Sequence, residues 1–168
     1  KAPKYLLVDG YNVIFAWPEL RELAEVNVDG ARGKLQDILC NYQAIKGMEV
    51  ILVFDAYRVE GHATEFLDYQ NIHVVYTKEA ETADYYIEHF AHENSKRYDI
   101  TVVTSDGLEQ VIIRGAGCAL ISSREFEDEV KNASAGFTKE YEQKVQKEST
   151  KTYLGEFMPK VEPEEEME

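Results

Sequence analysis

Short apolar runs of four or five residues recur along the chain, and most stop at an acid. Tyr5-Leu-Leu-Val8 runs into Asp9-Gly10, Val50-Ile-Leu-Val-Phe54 into Asp55, and Ile100-Thr-Val-Val103 into Thr104-Ser-Asp106. Ile72-His-Val-Val-Tyr76 is a further run, and the shorter Ala119-Leu-Ile121 closes in Ser122-Ser123. Continuous apolar runs bounded by turn residues read as strands buried on both faces. Helical spacing fills the gaps: Leu35, Ile38, Leu39, Tyr42 and Ile45, then Ala83, Tyr86, Ile87, Phe90 and Ala91, then Leu108, Val111 and Ile112. Ser122-Ser-Arg-Glu125 is a capping box ahead of Phe126 and Val130, and a last helix is predicted from about Thr138 to Lys147. The alternation predicts an α/β fold, a parallel sheet of about five strands with helices on both faces. In such sheets ligands bind beyond the carboxyl ends of the strands. The residues that end the strands are therefore the ones to inspect for chemistry.

At 168 residues, 44% apolar and 11% aromatic, the chain has the makings of one globular domain with its own core. No apolar run approaches the roughly 18–20 residues of a membrane span, and no signal-peptide segment leads the chain. Cys40 and Cys118 lie in apolar stretches without a metal-binding spacing, which points to buried free thiols in a reducing, cytoplasmic setting. The net charge is −14, of which −4 belongs to the last ten residues. Residues 1–150 are read as the domain and 151–168 as a disordered acidic tail. The first residue is Lys rather than Met, consistent with a piece of a longer protein. So acidic a body argues against unselective coating of nucleic acid, which needs Lys and Arg. It favours divalent cations instead.

Asp9, Asp55 and Asp106 each follow a strand, and Glu81 and Asp84 follow the run ending at Tyr76. If a helix has begun by Glu81, the i, i+3 spacing lets both carboxylates share a face. Asn12 adds a neutral oxygen one short turn after Asp9. Carboxylates converging at one sheet edge cannot all stay ionised unaided, so either protons or a cation must neutralise some. Oxygen-only ligands suit Mg²⁺ or Mn²⁺, which can activate a water against a phosphodiester. Arg58, Lys78, Arg114 and Arg124 are placed around the same edge, where phosphate grips are needed. Tyr11, Phe15, Trp17 and Tyr57 could stack on bases there, with core packing the preferred reading of Phe15 and Trp17.

Blander readings exist for single residues. Asp9-Gly10 and Asp106-Gly107 also suit capping turns, and Glu81 and Asp84 suit first-turn acids. His89 and His92 share a solvated helix face. Tyr11 stands where an aspartyl-phosphate phosphatase would need a second Asp, and no Walker-type or dinucleotide fingerprint occurs. Ser105 has no histidine near it in sequence for a hydrolase triad.

Val8-Asp-Gly-Tyr-Asn12, Val53-Phe-Asp-Ala56, Tyr76-Thr-Lys-Glu-Ala-Glu-Thr-Ala-Asp84 and Val103-Thr-Ser-Asp106 together resemble the YacP-like NYN domains, relatives of the PIN nucleases. The resemblance runs from about Lys4 to Val145. It implies a PIN-like three-layer α/β/α fold, strand order 3-2-1-4-5, and a metal-dependent endoribonuclease acting on mRNA in the ribosomal A site. Carried onto this chain, it makes Asp9, Asp84 and Asp106 the catalytic acids and, with Glu81, the metal ligands, supported by Asn12, Asp55 and Ser105. A monomer is expected. Similar domains also occur appended to translation-factor-like GTPases of the ribosomal-protection type, and the alternative activity is a non-cleaving RNA- or ribosome-binding module. The segment Arg114–Glu129 is more acidic than an RNA surface of this family would be, which favours recruitment by a ribosome or a fused partner.

Overall fold

A computed structural model describes residues 2–56 and 64–157. The chain order is β1 (Lys4–Asp9), α1 (Gly10–Ala16), α2 (Pro18–Val26), α3 (Val28–Lys46), β2 (Glu49–Phe54), β3 (Glu65–Tyr69), β4 (Ile72–Tyr76), α4 (Ala83–Asn94), β5 (Asp99–Val103), α5 (Gly107–Gly115), β6 (Ala119–Ile121) and α6 (Ser123–Phe157). The sheet runs β3-β4-β2-β1-β5-β6. Its five parallel strands are those read from the sequence, in the order the resemblance implies. The sixth, β3, is an antiparallel addition at the edge.

That strand escapes the apolar-run criterion because Glu65-Phe-Leu-Asp-Tyr69 carries two acids and stays largely exposed. Charged residues are the usual dressing of an edge strand. Its hairpin to β4 turns at Gln70-Asn71, with Gln70 at φ 53° in place of the glycine that would announce such a turn.

Alternation along the central strands sends side chains into two cores. Leu6, Val8, Val50, Leu52, Phe54 and Val74 pack with α1, α2, α3 and Phe126 of α6. Leu7, Ile51, Val53, Val75 and Val102 pack with Ile87 and Ala91 of α4 and Ile113 of α5. The result is the expected three-layer α/β/α sandwich. Cys40 and Cys118 are free and buried. No helix among the described residues is long and apolar enough to cross a membrane.

Two helices differ from the sequence reading. Leu108, Val111 and Ile112 do not form a buried face. They are exposed, and Glu109 and Ile113 point inward instead. The predicted Thr138–Lys147 helix is part of α6, which continues unbroken from the capping box to Phe157 through Asn132-Ala-Ser-Ala-Gly136. Residues 151–157 of the expected tail are thus helical, and 158–168 lie outside the described residues. The chain forms two compact units, Lys1–Ala133 and Ser134–Glu168, the described part of the second being the continuation of α6.

Register aligns the strand ends. Asp9 lies opposite Val53, Phe54 opposite Tyr76, Val8 opposite Val103, and Val103 opposite Ile121. All five parallel strands therefore finish at one edge.

Candidate active site

Asp9 is the last residue of β1 and the N-cap of α1, its Oδ1 accepting from the Asn12 backbone N–H at 3.4 Å. The chain can turn so abruptly from strand to helix because Gly10 lies against the Phe54 ring, where a Cβ would come within 2.4 Å of a ring carbon. Asp84 enters from the first turn of α4, which Thr82 caps by accepting from the Tyr85 N–H at 3.1 Å. Asp55 reaches the same helix start and accepts from the Ala83 N–H at 3.5 Å.

The third acid of the group is Glu109. Carboxylate oxygens of Asp9, Asp84 and Glu109 lie within 4.8 Å of one another. Glu109 is 1% exposed, and among the described residues neither of its carboxylate oxygens has a hydrogen-bond partner within 3.5 Å. Burial pushes it to a pKa of about 9, opposed in part by the Thr104 side chain and reinforced by the charges of Asp84 and Asp9. Burial likewise lifts Asp9 to about 8, again with Asp84 as the main charged neighbour and Asp55 as a lesser one. Glu88, one turn beyond Asp84 on α4, is raised by partial burial and by the charges of Asp84 and Asp106.

Above this trio opens a cleft of about 430 Å³ lined by Asp9, Tyr11, Asn12, Phe15, Ala16, Asp84, Ser105 and Asp106. Three carboxylates, two of them buried and one left without a partner, form a donor set suited to a hard divalent cation. The trio can hold such an ion, which would replace the protons that Asp9 and Glu109 otherwise keep.

The other sequence-derived residues are placed as follows. Asp106 lines the cleft, and its Oδ1 caps α5 by accepting from the Glu109 N–H at 2.9 Å. Glu81 precedes the Thr82 cap, so it does not share a helix face with Asp84. It stands outside the close group, its charge felt at Tyr86. Asn12 serves as a brace rather than a ligand. Its Oδ1 accepts from the Ser105 N–H at 3.0 Å and the Ser123 hydroxyl at 2.6 Å. Ser105 Oγ in turn accepts from the Ser123 N–H at 3.1 Å, tying together the chain segments that leave β1, β5 and β6.

Tyr11 lines the cleft but presents little of its ring to it. It is 7% exposed, with its ring against Phe54 and Phe15 and its hydroxyl accepting from Arg32 at 2.8 Å. Phe15, read as core, is 38% exposed and lines the cleft. Trp17 is core as read, and its indole N–H donates to the Ser123 carbonyl at 2.7 Å. Among the cations, Lys78 and Arg124 are exposed just beyond the ends of β4 and β6, at the site's edge. Arg114 is not: α5 starts at that edge and runs back along the sheet, so its C-terminal Arg114 lies at the opposite edge, where β6 begins. Arg58 and Tyr57 lie outside the described residues.

Reasoning from sequence missed Glu109, Glu88 and Arg32. Glu109 and Glu88 carry a faint spacing signal, three residues after Asp106 and four after Asp84. Arg32 carries none, because the apolar periodicity of α3 begins only at Leu35.

The fold recurs in known proteins. The sequence model of the YacP-like NYN domain family matches residues 6–165. The uncharacterized protein YacP of Bacillus subtilis (strain 168) is 43% identical over 126 residues, 74% of each chain. The crystal structure of Rae1 (YacP) from Bacillus subtilis superposes with a TM-score of 0.72 at 37% identity, covering 91% of this chain and 88% of that one. A point mutant of the same protein gives 0.71. With the fold, the strand-end acids and these matches in agreement, the chain belongs to the YacP-like NYN domain family.

Proposed function

We propose that this chain is a metal-dependent endoribonuclease that hydrolyses RNA phosphodiesters, acting as a cytoplasmic monomer on mRNA held by the ribosome. The observation that carries the reading is the buried, partnerless Glu109 carboxyl facing Asp9 and Asp84 beneath an open cleft. A chain that only bound RNA would gain nothing from burying two carboxyl groups beside a third at the cost of their desolvation. Family membership supports a nuclease-like, RNA-directed domain. The residues fit Mg²⁺ or Mn²⁺, with Asp9, Asp84 and Glu109 as the holders.

When bound, the cation supplies an acidified water and offsets charge on the phosphate. The protein's own residues then have distinct tasks. Asp9 and Glu109 give up their protons to receive the cation. Asp84, the most exposed of the three, meets the substrate side of the cleft. Asn12, Ser105 and Ser123 fix the cleft wall. Water attacks phosphorus, the bond to the leaving oxygen breaks, and that oxygen takes up a proton. The ribosomal substrate is supported by charge. A net −14 with no Lys or Arg among the described cleft-lining residues disfavours capture of naked RNA, so a partner would deliver it.

The test is mRNA cleavage on ribosomes, paired with thermal melts in Mn²⁺ or Mg²⁺. Wild type should cut and should melt higher with metal. Asp9→Asn and Asp84→Asn should lose both while remaining folded. Cleavage at the wild-type rate in either variant sinks the assignment. RNA retention indifferent to EDTA, with no product, would replace it with a non-cleaving binding module.

A further inference from the structure

We propose that a cavity opening at the amino-terminal edge of the sheet, away from the acid trio, binds a free apolar amino acid as its zwitterion. Five extended residues separate Lys4 at its mouth from Asp9, roughly 16 Å.

The cavity measures about 280 Å³, just below the usual range of small-ligand pockets. Its walls are the starts of β1 and β5, the end of β6, and residues of α3 and α6. Alternation turns Lys4 and Leu6 of β1 to the same side, and register sets them opposite Asp99 and Thr101 of β5. The inner part is apolar. Leu6 and Phe126 are buried there, with Met48 and Ile121 half-buried beside them. An apolar side chain entering this part leaves water for apolar contact, which supplies the driving force.

The mouth is charged, and its charges are of two kinds. Glu129 is already engaged: its Oε2 accepts from the Tyr42 hydroxyl at 2.8 Å and lies 3.4 Å from Lys46 Nζ. Lys4 and Asp99 are exposed neighbours on adjacent strands, and neither side chain has an ion pair or hydrogen bond among the described residues. Two adjacent charges of opposite sign that leave each other unneutralised complement a ligand carrying both an ammonium and a carboxylate. On a free amino acid both charges sit on one carbon, which suits two register-paired side chains. Lys4 meets the carboxylate, Asp99 meets the ammonium, and the ligand's side chain turns inward to Leu6 and Phe126. A nucleotide is disfavoured, because Asp99 and Glu129 would repel its phosphates.

The experiment titrates L-leucine and L-phenylalanine into the full chain by calorimetry, with backbone amide chemical shifts to locate the site. Wild type should show one saturable site in the millimolar range or tighter, as befits a ligand of so few atoms. The largest shifts should fall at Leu6, Thr101 and Ile121 rather than at Asn12 and Ser105. Leucinamide lacks the carboxylate and N-acetyl-leucine lacks the ammonium, so each should bind roughly tenfold more weakly than leucine. Lys4→Gln and Asp99→Asn should each weaken leucine by a similar factor, and both positions are exposed, so neither change threatens the fold. Absence of saturable binding overturns the proposal. So do shifts centred on the strand-end cleft, or a leucine affinity that both variants leave unchanged.

Discussion

The carboxylate of Asp106 accepts a hydrogen bond from the backbone N–H of Glu109 at 2.9 Å, so the acid that ends the β5 segment sets the helical turn that faces Glu109 inward. The two acids thus divide the work, one capping and one lying beside Asp9 and Asp84. Asp106→Asn keeps a capping oxygen, and Asn caps about as well as Asp. Its stability should change by less than about 0.5 kcal/mol, and the rise in melting point with Mn²⁺ should persist. Glu109→Gln removes a carboxylate where metal would sit, so that rise should fall by at least half. Thermal melts with and without Mn²⁺ separate the two. A metal response lost in Asp106→Asn and kept in Glu109→Gln would reverse the assignment.

Without metal, the folded protein should lose stability as pH rises. Asp9 and Glu109 have folded pKa values of about 8 and about 9, raised from ordinary values of 3.8 and 4.5. A carboxyl raised by folding favours the native state while protonated. Its contribution is fully present below its unfolded value and is lost as pH climbs through the folded one. Asp9→Asn removes one such group, so its metal-free melting point should fall less than that of wild type between about pH 5 and pH 9. Adding Mn²⁺ to wild type should matter most at the alkaline end, since binding must displace fewer protons there. A flat metal-free melting profile for wild type would contradict the buried, unneutralised trio.

Four of the five parallel strands were legible because both of their faces are largely buried, which leaves an apolar run; the short β6 was legible from its apolar residues although none of them is fully buried. The strand β3 was not, because one side of it meets solvent and its turn relies on Gln70 rather than glycine. Asp9 and Asp84 were legible as acids at strand ends. Glu109 was hidden by an inversion on α5, where Leu108, Val111 and Ile112 face outward and the acid faces in. Helical periodicity assumes that the apolar face is the buried one. Here the cap at Asp106 sets the rotation of the helix, and the inward-facing acid breaks the pattern. Arg114 was misplaced for a topological reason: proximity to a strand in sequence does not say which end of the following helix a residue occupies.

Gly10→Ala should destabilise the fold by about 1–3 kcal/mol, although Ala is the better helix former. The new methyl would meet the Phe54 ring at 2.4 and 2.6 Å, and that ring is fully buried between Tyr11 and Tyr76. Phe54→Leu in the same chain should recover part of the loss by making room. Denaturant melts of the two single variants and the double variant give the coupling between the sites. Simple additivity would mean that the clash relaxes elsewhere.

Asn12→Ala should cost about 1–3 kcal/mol, the range for leaving buried hydrogen-bonding groups without a partner. It strands the hydroxyl of Ser123, which is 0% exposed, and hands the exposed Ser105 N–H to water. The loss should be local as well as global. Amide exchange at Ser105 should accelerate well beyond that of the central strand β1. Uniform acceleration across the sheet would show that Asn12 contributes only to overall stability and does not brace the cleft wall.

His73 clamps the edge hairpin in a way that pH should release. Its Nδ1 lies 2.8 Å from Asp68 on β3 and its Nε2 2.9 Å from Glu49 on β2. Burial alone would lower its pKa, but the two carboxylates outweigh that and hold it above the usual 6.5. A histidine raised by folding stabilises the native state below its unfolded pKa, and the benefit disappears as pH rises through the folded value. The pair is roughly half exposed, so the effect should be below about 1 kcal/mol. Wild type should therefore exceed His73→Gln in melting point at about pH 5.5, with the gap closing by about pH 8. Hydrogen exchange in β3 should follow the same pH course. A gap that stays constant with pH would assign His73 a packing role and remove the charge from the clamp.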